Sequence, residues 1–396
     1  MPPFCSQAEP LYCQQQLLDG APVTQVTFYP LGNADTSLVE LHDGRRILFD
    51  YAHTASGDDG DKRCDLPKLL KADLKNADTD TYAVVAFTHL DSDHCTGASD
   101  FFWFEHAAKY QGEGRCKIKT LWVPAGAITE EGLDDCARVI RQEARHRLKE
   151  GKGIKVFSRP ERLKDWLAAN GLSVDDRRNC CVDAGQLVPE FSLDVDAVEF
   201  FVPSPHARRT DDRGVEDRNG DSIMVQIRFK EGGEHTDMLI TGDMPHDALA
   251  EIVDITRHHK NDERLHWNIY HLPHHCSYKS IGPDKGEDKT EPVDQVKWLC
   301  QTQGEASGYI ISPSKPIPFK GTAADEDVQP PHRQAANYYK EDVLSDTRHF
   351  LVTMNEPSST NPKPIVLLIT RDGAVKDTSG GGVAAAASVV APRAGA

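Results

Sequence analysis

The chain contains no run of about 18 apolar residues, so the sequence predicts no membrane-spanning helix. The first residues, MPPFCSQAEPLYCQQQLL, lack the basic head, apolar stretch and small-residue cleavage site of a secretory signal. None of the 10 cysteines forms a Cys-x-x-Cys pair, the spacing of many structural zinc sites. These absences predict a cytoplasmic protein with reduced thiols and no membrane partner.

Basic residues are also in short supply, because 45 Lys and Arg side chains face 62 Asp and Glu side chains, for a net charge of −17. A chain with this charge repels a phosphate backbone at long range. The deficit excludes broad, sequence-independent coating of nucleic acid. A nucleic-acid contact would need a local basic patch or bound metal ions. The 396 residues are enough for a large core in one enlarged domain or in two.

The order of apolar patterns predicts the fold class. Runs of strand character lie at 23–32, 37–52, 81–94, 119–125, 198–205, 222–229, 237–243, 265–275, 307–314, 349–355 and 364–373. Helical patterns lie between them at 97–110, 129–152, 159–171, 246–259 and 333–344. Strands interleaved with helices, in two β-rich halves, predict an α/β layered fold with sheets sandwiched by helices.

The densest chemical signal is the hexapeptide His89-Leu90-Asp91-Ser92-Asp93-His94, which directly follows a buried strand pattern. Imidazole nitrogen and carboxylate oxygen are ligands for divalent zinc and manganese. Two carboxylates between two histidines would be costly to bury without a cation. The hexapeptide therefore predicts a metal site at a strand end, and the alternative is a solvated polar loop.

Two further strand patterns end in possible metal ligands. MLITGD places Asp243 after a glycine, and IYHLPHH places His274 and His275 after a proline. Each signal is weak alone, since an Asp after a Gly is usually a turn and a His pair is usually on the surface. Because ligands gather beyond the ends of neighbouring strands, the three strand ends together predict one shared site.

The run THLDSDHCTG at 88–97 resembles the metal signature of the metallo-β-lactamase superfamily, H-x-H-x-D-H. Asp91 stands where the second His is usual, a variant frequent in the branch similar to the hydrolase domain of the ComEC competence protein. Other landmarks of that branch follow in order, namely Gly32–Asp35 with ILFD at 47–50, Asn219–Ser222, Leu239–Asp243 and His274–Ser280. Cys276 replaces the usual glycine of the last motif, so a differently shaped turn is expected there.

The resemblance spans roughly residues 25–375 and implies the fold. It implies a metallo-β-lactamase αββα sandwich as one hydrolase domain over residues 1–378, with a helical insertion at about 126–172. The Gly/Ala-rich tail at 379–396 is expected to be disordered.

The resemblance also implies two divalent cations, held by side chains that follow the three strands. The implied ligands are His89, Asp91 and Asn219 for one ion, and Asp93, His94 and either His274 or His275 for the other, with Asp243 between the two. Asn219 replaces the third His of well-known relatives. More oxygen donors shift the preference from zinc toward manganese or magnesium, and the identity stays open between zinc and manganese.

Two such cations lower the pKa of a shared water and clamp the oxygens of an in-line displacement. The implied activity is a dinuclear hydrolase, most simply a phosphodiesterase or nuclease, because the cations offset phosphate charge. Asp93 and Asp243 are the implied catalytic residues. Lys279 and Ser280, just past the histidines, could hold a phosphate, although a Lys in a loop is more often a solvated surface charge.

Two alternatives stay open. The same metal-activated hydroxide would hydrolyse esters, thioesters or lactams, and a structural or degenerate metal site would suit a binding or scaffold protein. The expected partners are nucleic acid or a nucleotide-derived phosphodiester as substrate, and a protein partner at the insertion, because insertions at loops tend to carry function.

Overall fold

The computed structural model describes residues 23–213 and 217–379. Over these residues the chain forms 16 strands. They are β1 Gln25–Phe28, β2 Ser37–Glu40, β3 Arg46–Phe49, β4 Thr81–Ala86, β5 Lys117–Pro124, β6 Ile154–Phe157, β7 Cys181–Val182, β8 Gln186–Leu187, β9 Val198–Ser204, β10 Met224–Glu231, β11 Glu234–Ile240, β12 Trp267–His271, β13 Gly304–Ser312, β14 His349–Val352, β15 Ile365–Thr370 and β16 Gly373–Lys376.

The described residues also form ten α-helices. They are α1 Leu66–Asn76, α2 Ser92–Cys95, α3 Ala98–Phe101, α4 Gly126–Thr129, α5 Asp135–Glu150, α6 Glu161–Ala169, α7 Ala207–Arg213, α8 His246–His258, α9 Asp294–Gln301 and α10 Arg333–Tyr338. Short 3-10 turns lie at Ala108–Tyr110, Asp175–Cys180, Asp262–Leu265, Pro273–His275, Tyr278–Ser280 and Thr353–Asn355, and a π turn at Tyr339–Val343. None of the described helices is long and apolar enough to cross a membrane.

The strands form two sheets. The first has nine strands in the order β16-β15-β1-β2-β3-β4-β5-β6-β7, and the second has seven in the order β14-β13-β12-β11-β10-β9-β8. Strands β3 to β7 are parallel in the first sheet, and β11 to β14 are parallel in the second. Each sheet therefore has one edge at which the carboxyl ends of parallel strands meet, and chemistry-bearing loops collect at such edges.

Three apolar layers hold the sheets and helices together. Phe28 and Trp122 of the first sheet pack with Phe200 and Ile227 of the second, which fills the space between the sheets. A second cluster joins the outer face of the first sheet to helices α1, α5 and α6. A third joins the outer face of the second sheet to α8, α9 and α10. The αββα sandwich predicted from the sequence is confirmed.

Helix α1 shows how the outer layer forms from the sequence. The side chain of Asp65 accepts a hydrogen bond from the Lys68 amide at 3.2 Å and so caps the helix. Leu66, Leu70 and Leu74 recur every four residues and are buried against the first sheet. Burying each leucine contributes about 1.5–3 kcal/mol, so the apolar stripe fixes the orientation of the helix.

Two predicted helices are shorter than their patterns. The predicted helix at 97–110 ends at Phe101, because Phe102 leaves the helix to form a β-bridge with Cys116 and is fully buried among aromatic rings. The predicted helix at 129–152 begins at Asp135, since Gly132 adopts a left-handed conformation with φ of +74° before it. Both errors arise at the helix start or end, where tertiary contacts override local propensity.

The segment at 126–172 is not helical throughout. It contains α4, α5 and α6, and it also contributes strand β6, which pairs with β5 in the first sheet. Helix α5 packs on the same sheet in the main outer core. The predicted disordered tail at 379–396 lies outside the described residues apart from Ser379.

Candidate metal centre

Four side chains from distant parts of the chain meet at the carboxyl ends of the parallel strands. Asp93 and His94 lie on α2, which follows β4, whereas Asp243 follows β11 and His275 follows β12. One donor atom from each of the four lies within 4.8 Å of the other three. His94 Nε2 is 3.1 Å from Asp243 Oδ1, and His275 Nε2 is 3.1 Å from Asp93 Oδ2. The predicted convergence of the three strand ends is therefore present in the structure.

Gly242 explains how Asp243 reaches His94. The glycine has a φ of +53°, and a Cβ atom there would lie only 2.9 Å from Ser222 Cβ and 3.3 Å from Thr88 Cβ. A side chain at this position would clash as well as strain the backbone. The glycine of LITGD and the serine of NGDS are thus parts of one close contact, which turns the chain after β11 toward the first sheet.

A strained turn presents His275. His274, His275 and Cys276 have φ values of 50°, 51° and 65°, three consecutive left-handed residues. Each such residue other than glycine costs roughly 1–2 kcal/mol. The turn is held by His275 Nδ1, which donates to the Pro313 carbonyl at 2.9 Å, and by the His332 amide, which donates to the Cys276 carbonyl at 3.1 Å. Cys276, at the position where the resemblance led us to expect a glycine, adopts the left-handed conformation that glycine would favour.

A buried carboxylate orients the other imidazole. His94 Nδ1 donates to Asp50 Oδ2 at 2.8 Å, and the amide and hydroxyl of Thr88 each donate to Asp50 at 2.7 Å. Since Nδ1 carries the proton shared with Asp50, Nε2 is the ring nitrogen that faces Asp243. A carboxylate behind a histidine in this way fixes the tautomer and raises the basicity of a ligand nitrogen.

The charges in the cluster are tightly balanced. Burial opposes protonation of His94, but the carboxylates of Asp243 and Asp50 outweigh burial and raise the pKa of His94 well above its usual range. Burial likewise raises the pKa of Asp93, yet the hydrogen bond from His275 lowers it to about 2. His94 and His275 hold the pKa of Asp243 well below its usual range against the same effect of burial. Both carboxylates are therefore ionised at neutral pH.

This donor set fits a divalent cation. Two imidazoles and two carboxylates are ligands shared by zinc and manganese. Ligands at about 2.0–2.1 Å in a tetrahedron have donor atoms about 3.3 Å apart. The distances of 3.1 Å between paired donors and of 3.7 Å between His275 Nε2 and Asp243 Oδ2 lie around that value.

His89 lies beside this cluster but is not one of the four. Its ring centroid is 4.0 Å from that of His94. The Thr88 hydroxyl donates its only hydrogen to Asp50. Thr88 Oγ1 therefore accepts a hydrogen bond from His89 Nδ1 at 3.2 Å. Burial first, and then the charge of His94, lowers the pKa of His89 to about 4. The neutral ring keeps a lone pair on Nε2, a buried atom with no hydrogen-bond partner among the described residues.

Asp91 has a partner that the sequence did not indicate. Its Oδ2 is 3.8 Å from His89 Nε2, and its Oδ1 accepts a hydrogen bond from Arg218 Nη1 at 2.7 Å. Arg218 also binds Glu130, with Nε 2.8 Å from Oε1 and a second contact through Nη2. Asp91 is therefore held in an ion pair at the edge of the site.

The remaining predicted residues lie around the cluster without joining it. The Asn219 carbonyl accepts from the Ser222 amide at 3.2 Å, which places this residue in a tight turn. His274 is half-buried, with its ring centroid 6.3 Å from that of His275. Lys279 is exposed, whereas Ser280 is buried and its hydroxyl has no hydrogen-bond partner among the described residues.

Two buried aspartates near the cluster were not predicted as site residues, although each ends a motif of the sequence. Asp50 is the last residue of ILFD, and Asp35 is the last residue of GNAD. Asp35 pairs with buried His271 at 3.3 Å, its carboxylate lies within 4.8 Å of donor atoms of Asp50 and His94, and its amide donates to the Asp93 carbonyl at 2.9 Å. Arg218 carried no signal, because a lone arginine in a charged loop is usually a surface residue.

An open cleft of about 760 Å³ borders the cluster. Its walls include Asp91 and Asp93 on one side and residues 132–139, which precede and begin α5, on the other. Arg138 and Arg218 are the arginines that line it. Cys95 also lines the cleft, but its thiol is buried, and burial raises its pKa to about 12. A buried thiol with a raised pKa is a packing residue and not a nucleophile.

No protein-family model and no curated protein sequence matches this chain. Among solved structures, the chain is similar to a diphosphatase of the PhnP family, with 9% identity, a TM-score of 0.33, and coverage of 83% of this chain and 94% of that chain. It is similar to a long-form RNase Z from yeast, with 12% identity, a TM-score of 0.35, and coverage of 74% and 37%. It is also similar to the FEZ-1 metallo-β-lactamase from Legionella gormanii, with 11% identity, a TM-score of 0.24, and coverage of 54% and 62%.

Identities and TM-scores at this level say nothing about substrate or activity. The structure itself defines a structural class of protein. It is an αββα sandwich with a largely buried cluster of two aspartates and two histidines at the ends of its parallel strands.

Proposed function

We propose that this chain is a metal-dependent hydrolase of phosphodiesters. The observation that carries the proposal is the meeting of Asp93, His94, Asp243 and His275, whose donor atoms lie within 4.8 Å of one another although the residues come from three separate strand ends. A merely structural polar cluster would not need two ionised carboxylates beside two imidazoles in a buried position. Both imidazoles are also fixed from behind, as ligands of a catalytic metal are.

Asp93, His94, Asp243 and His275 would hold one divalent cation, and His89 with Asp91 would be the donors for a second. A bound divalent cation lowers the pKa of a coordinated water to near neutrality and offsets the charge of a phosphate oxygen. No side-chain nucleophile is needed for hydrolysis of this kind. The buried, protonated thiol of Cys95 agrees with that chemistry.

The chain's own residues bind and orient the substrate. Asp93 is about one-third exposed and faces the cleft, whereas Asp243 and His275 are buried behind it. A substrate in the cleft would therefore meet the cluster from the Asp93 side. Arg138 and Arg218 line the cleft together with four aspartates, and Arg218 is already paired with Asp91 and Glu130, whereas Lys279 lies exposed on the turn that follows His275.

A phosphodiester suits this arrangement better than a neutral ester. A chain with a net charge of −17 repels an anion except where cations concentrate, and here the cations would concentrate in the centre itself. A neutral ester or lactam would gain less from such a concentration of positive charge. Cations bound in the centre would therefore favour an anionic substrate such as a phosphodiester.

The test is a substrate panel with the purified full chain, stripped of metal and reloaded with Zn²⁺ or Mn²⁺. We expect cleavage of bis-p-nitrophenyl phosphate or single-stranded oligonucleotides, loss of cleavage on adding a chelator, and recovery on adding metal. Asp243→Asn should lower kcat/KM by at least about 100-fold, since residues behind a metal ligand already contribute 10- to 100-fold.

Asp194→Asn is the matched control, because Asp194 is 94% exposed and its removal changes the charge equally. A folded, metal-loaded protein that hydrolyses p-nitrophenyl acetate or a β-lactam but no phosphodiester would overturn the substrate assignment. Unchanged activity of Asp243→Asn would overturn the metal centre.

A further inference from the structure

Arg218 forms a cationic bridge at the edge of the metal centre. Its Nη1 lies 2.7 Å from Asp91 Oδ1, and its other nitrogens bind Glu130, with Nε 2.8 Å from Oε1 and 3.0 Å from Oε2. Glu130 is only 10% exposed, so this is a partly desolvated ion pair and not a solvated surface contact. The guanidinium thus satisfies a carboxylate that the sequence assigned to a metal ion.

The turn that carries Arg218 is itself held in place. Asp217 accepts a hydrogen bond from the Gly220 amide at 3.0 Å and is bound by Arg209 at 3.4 Å. A Cβ atom on Gly220 would lie 2.3 Å from Asp217 Oδ2, so a larger residue there would displace the Asp217 side chain from the turn. The Arg218 carbonyl also accepts from the Ser222 hydroxyl at 3.1 Å. Arg218 is therefore fixed in its place beside Asp91.

The two cation positions differ in what they offer. The first has four donors that lie mutually within 4.8 Å. The second has His89 Nε2 and Asp91 Oδ2, 3.8 Å apart, and no group of three His, Cys, Asp or Glu donors in the described part of the chain includes either residue. One of the two donors at the second position already carries a compensating positive charge.

We propose that Arg218 makes the two positions unequal, so that one divalent cation binds tightly at Asp93, His94, Asp243 and His275 while Arg218 weakens binding of a second cation at His89 and Asp91. The inference rests on the metal centre of the proposed function. A guanidinium that is hydrogen-bonded to one oxygen of Asp91 withdraws charge from that carboxylate and repels a divalent ion at its other oxygen. The chain would then retain one metal ion, and Arg218 would lie beside the position at which the resemblance implies a second ion.

The opposite role is the main competitor. Arg218 could orient Asp91 so that Oδ2 faces an ion next to His89, in the way that outer residues orient a ligand. The two roles predict opposite changes on removing the guanidinium. If Arg218 opposes the second ion, its removal strengthens binding there, and if it supports Asp91 as a ligand, its removal weakens binding.

The experiment measures metal binding to the full chain and does not depend on turnover. The protein is stripped with a chelator, desalted, and titrated with Zn²⁺ and separately with Mn²⁺ by calorimetry, and the retained metal is counted by elemental analysis after gel filtration. We expect about one retained ion per wild-type chain and a second, weaker binding step. Arg218→Gln should strengthen that second step by at least about tenfold, the scale on which contacts to a ligand tune metal affinity.

Controls separate this effect from general damage. Arg218→Gln leaves Glu130 without its partner, so the double variant Arg218→Gln with Glu130→Gln restores the net charge that the region has in the wild type and should show the same stronger second step. Arg138→Gln removes another cation from the same cleft and should leave both steps as in the wild type. Adding Asp91→Asn to Arg218→Gln should abolish the gain.

Several results would overturn the inference. Two equally tight ions in the wild type would do so, and so would a second step that is unchanged or weaker in both Arg218 variants. The failure of the proposed function looks different. A wild-type chain that binds one ion tightly and gains a second in Arg218→Gln, but cleaves no phosphodiester, would support the inference while refuting the substrate assignment.

Discussion

The two cation positions lie side by side, yet the protein supports their donor groups in different ways. At the first position each imidazole is fixed by an acceptor behind it, His94 by Asp50 and His275 by the Pro313 carbonyl. At the second position His89 has only the Thr88 hydroxyl behind it, and Asp91 is shared with Arg218. If the two proposed positions bind cations, this difference predicts that the hydrogen bonds behind the donors, and not only the identity of the donors, set their relative affinities.

Burial separates the two positions only in part. His94, Asp243 and His275 are all less than about 5% exposed at the first position, and His89 is 1% exposed at the second, whereas Asp93 and Asp91 are each about one-third exposed. The clearer difference lies in the partners of the two exposed carboxylates, because Asp93 is held by His275 and Asp91 by Arg218. A carboxylate with an arginine partner gains less from a cation.

The largest expected effect comes from the histidine pair. His275→Ala should abolish tight metal binding, with a loss of at least about 100-fold in affinity, because it removes a donor whose orientation is fixed. His274→Ala should change metal affinity by less than about threefold, the range of a substitution that breaks no fixed contact. Calorimetric titration of both variants with Zn²⁺ measures the difference.

The two substitutions control for each other, because both change a histidine to alanine within the same left-handed turn. Thermal unfolding of the metal-free variants checks that the turn survives. A larger loss in His274→Ala than in His275→Ala would reverse the assignment of the ligand and with it the comparison between the two positions.

The next largest effect is expected from Asp50, which holds the His94 imidazole in place. Asp50→Asn keeps the shape of the side chain but removes the charge that His94 Nδ1 contacts at 2.8 Å, so metal affinity should fall by about 10- to 100-fold. Asp35→Asn is the matched control, because Asp35 is equally buried and belongs to the same group of donor atoms as Asp50 and His94, but its ion pair is with His271 and not with His94. We expect Asp35→Asn to change metal affinity by less than about threefold.

Titration with Mn²⁺ and with Zn²⁺ measures both aspartate variants. Equal losses in Asp50→Asn and Asp35→Asn would mean that the whole buried network, and not the single contact to His94, sets the affinity. The contrast between a supported and an unsupported position would then no longer explain why the first binds well.

Sequence patterns predicted the strand ends well, for a physical reason. His94, Asp243 and His275 each follow an apolar run that must be a buried strand, and the carboxyl ends of parallel strands meet at one edge. The same reasoning could not find Arg218, which lies 127 residues from Asp91 in sequence and meets it only through the fold. Nothing local in a charged loop indicates which acid an arginine will bind.

Local patterns also misled where tertiary contacts dominate. The helical pattern after His94 ends early because Phe102 packs into a cluster of aromatic rings instead of continuing the helix. The place of Asn219 near a metal ion stays a prediction. Its carbonyl accepts from the Ser222 amide, and the Gly220 amide donates to Asp217, so the motif also closes a tight turn.

The smallest expected effect lies at the rim of the site. Lys279 is exposed on the turn after His275 and is not part of the cluster. We therefore expect its charge to affect the binding of an anionic substrate and not the binding of a cation. Lys279→Ala should raise KM for a phosphodiester by about 2- to 5-fold, the equivalent of a surface ion pair worth up to about 1 kcal/mol, and leave kcat unchanged. The increase should shrink at high salt, because exposed charges are screened.

Ser280→Ala is the comparison for that variant, because Ser280 is buried and its hydroxyl binds no other described residue. Steady-state kinetics at low and high salt should show no change in KM for Ser280→Ala. A fall in kcat in Lys279→Ala, with KM unchanged at both salt concentrations, would place the lysine at the reacting phosphate. The boundary between the buried donors and the exposed rim would then need to move to include that turn.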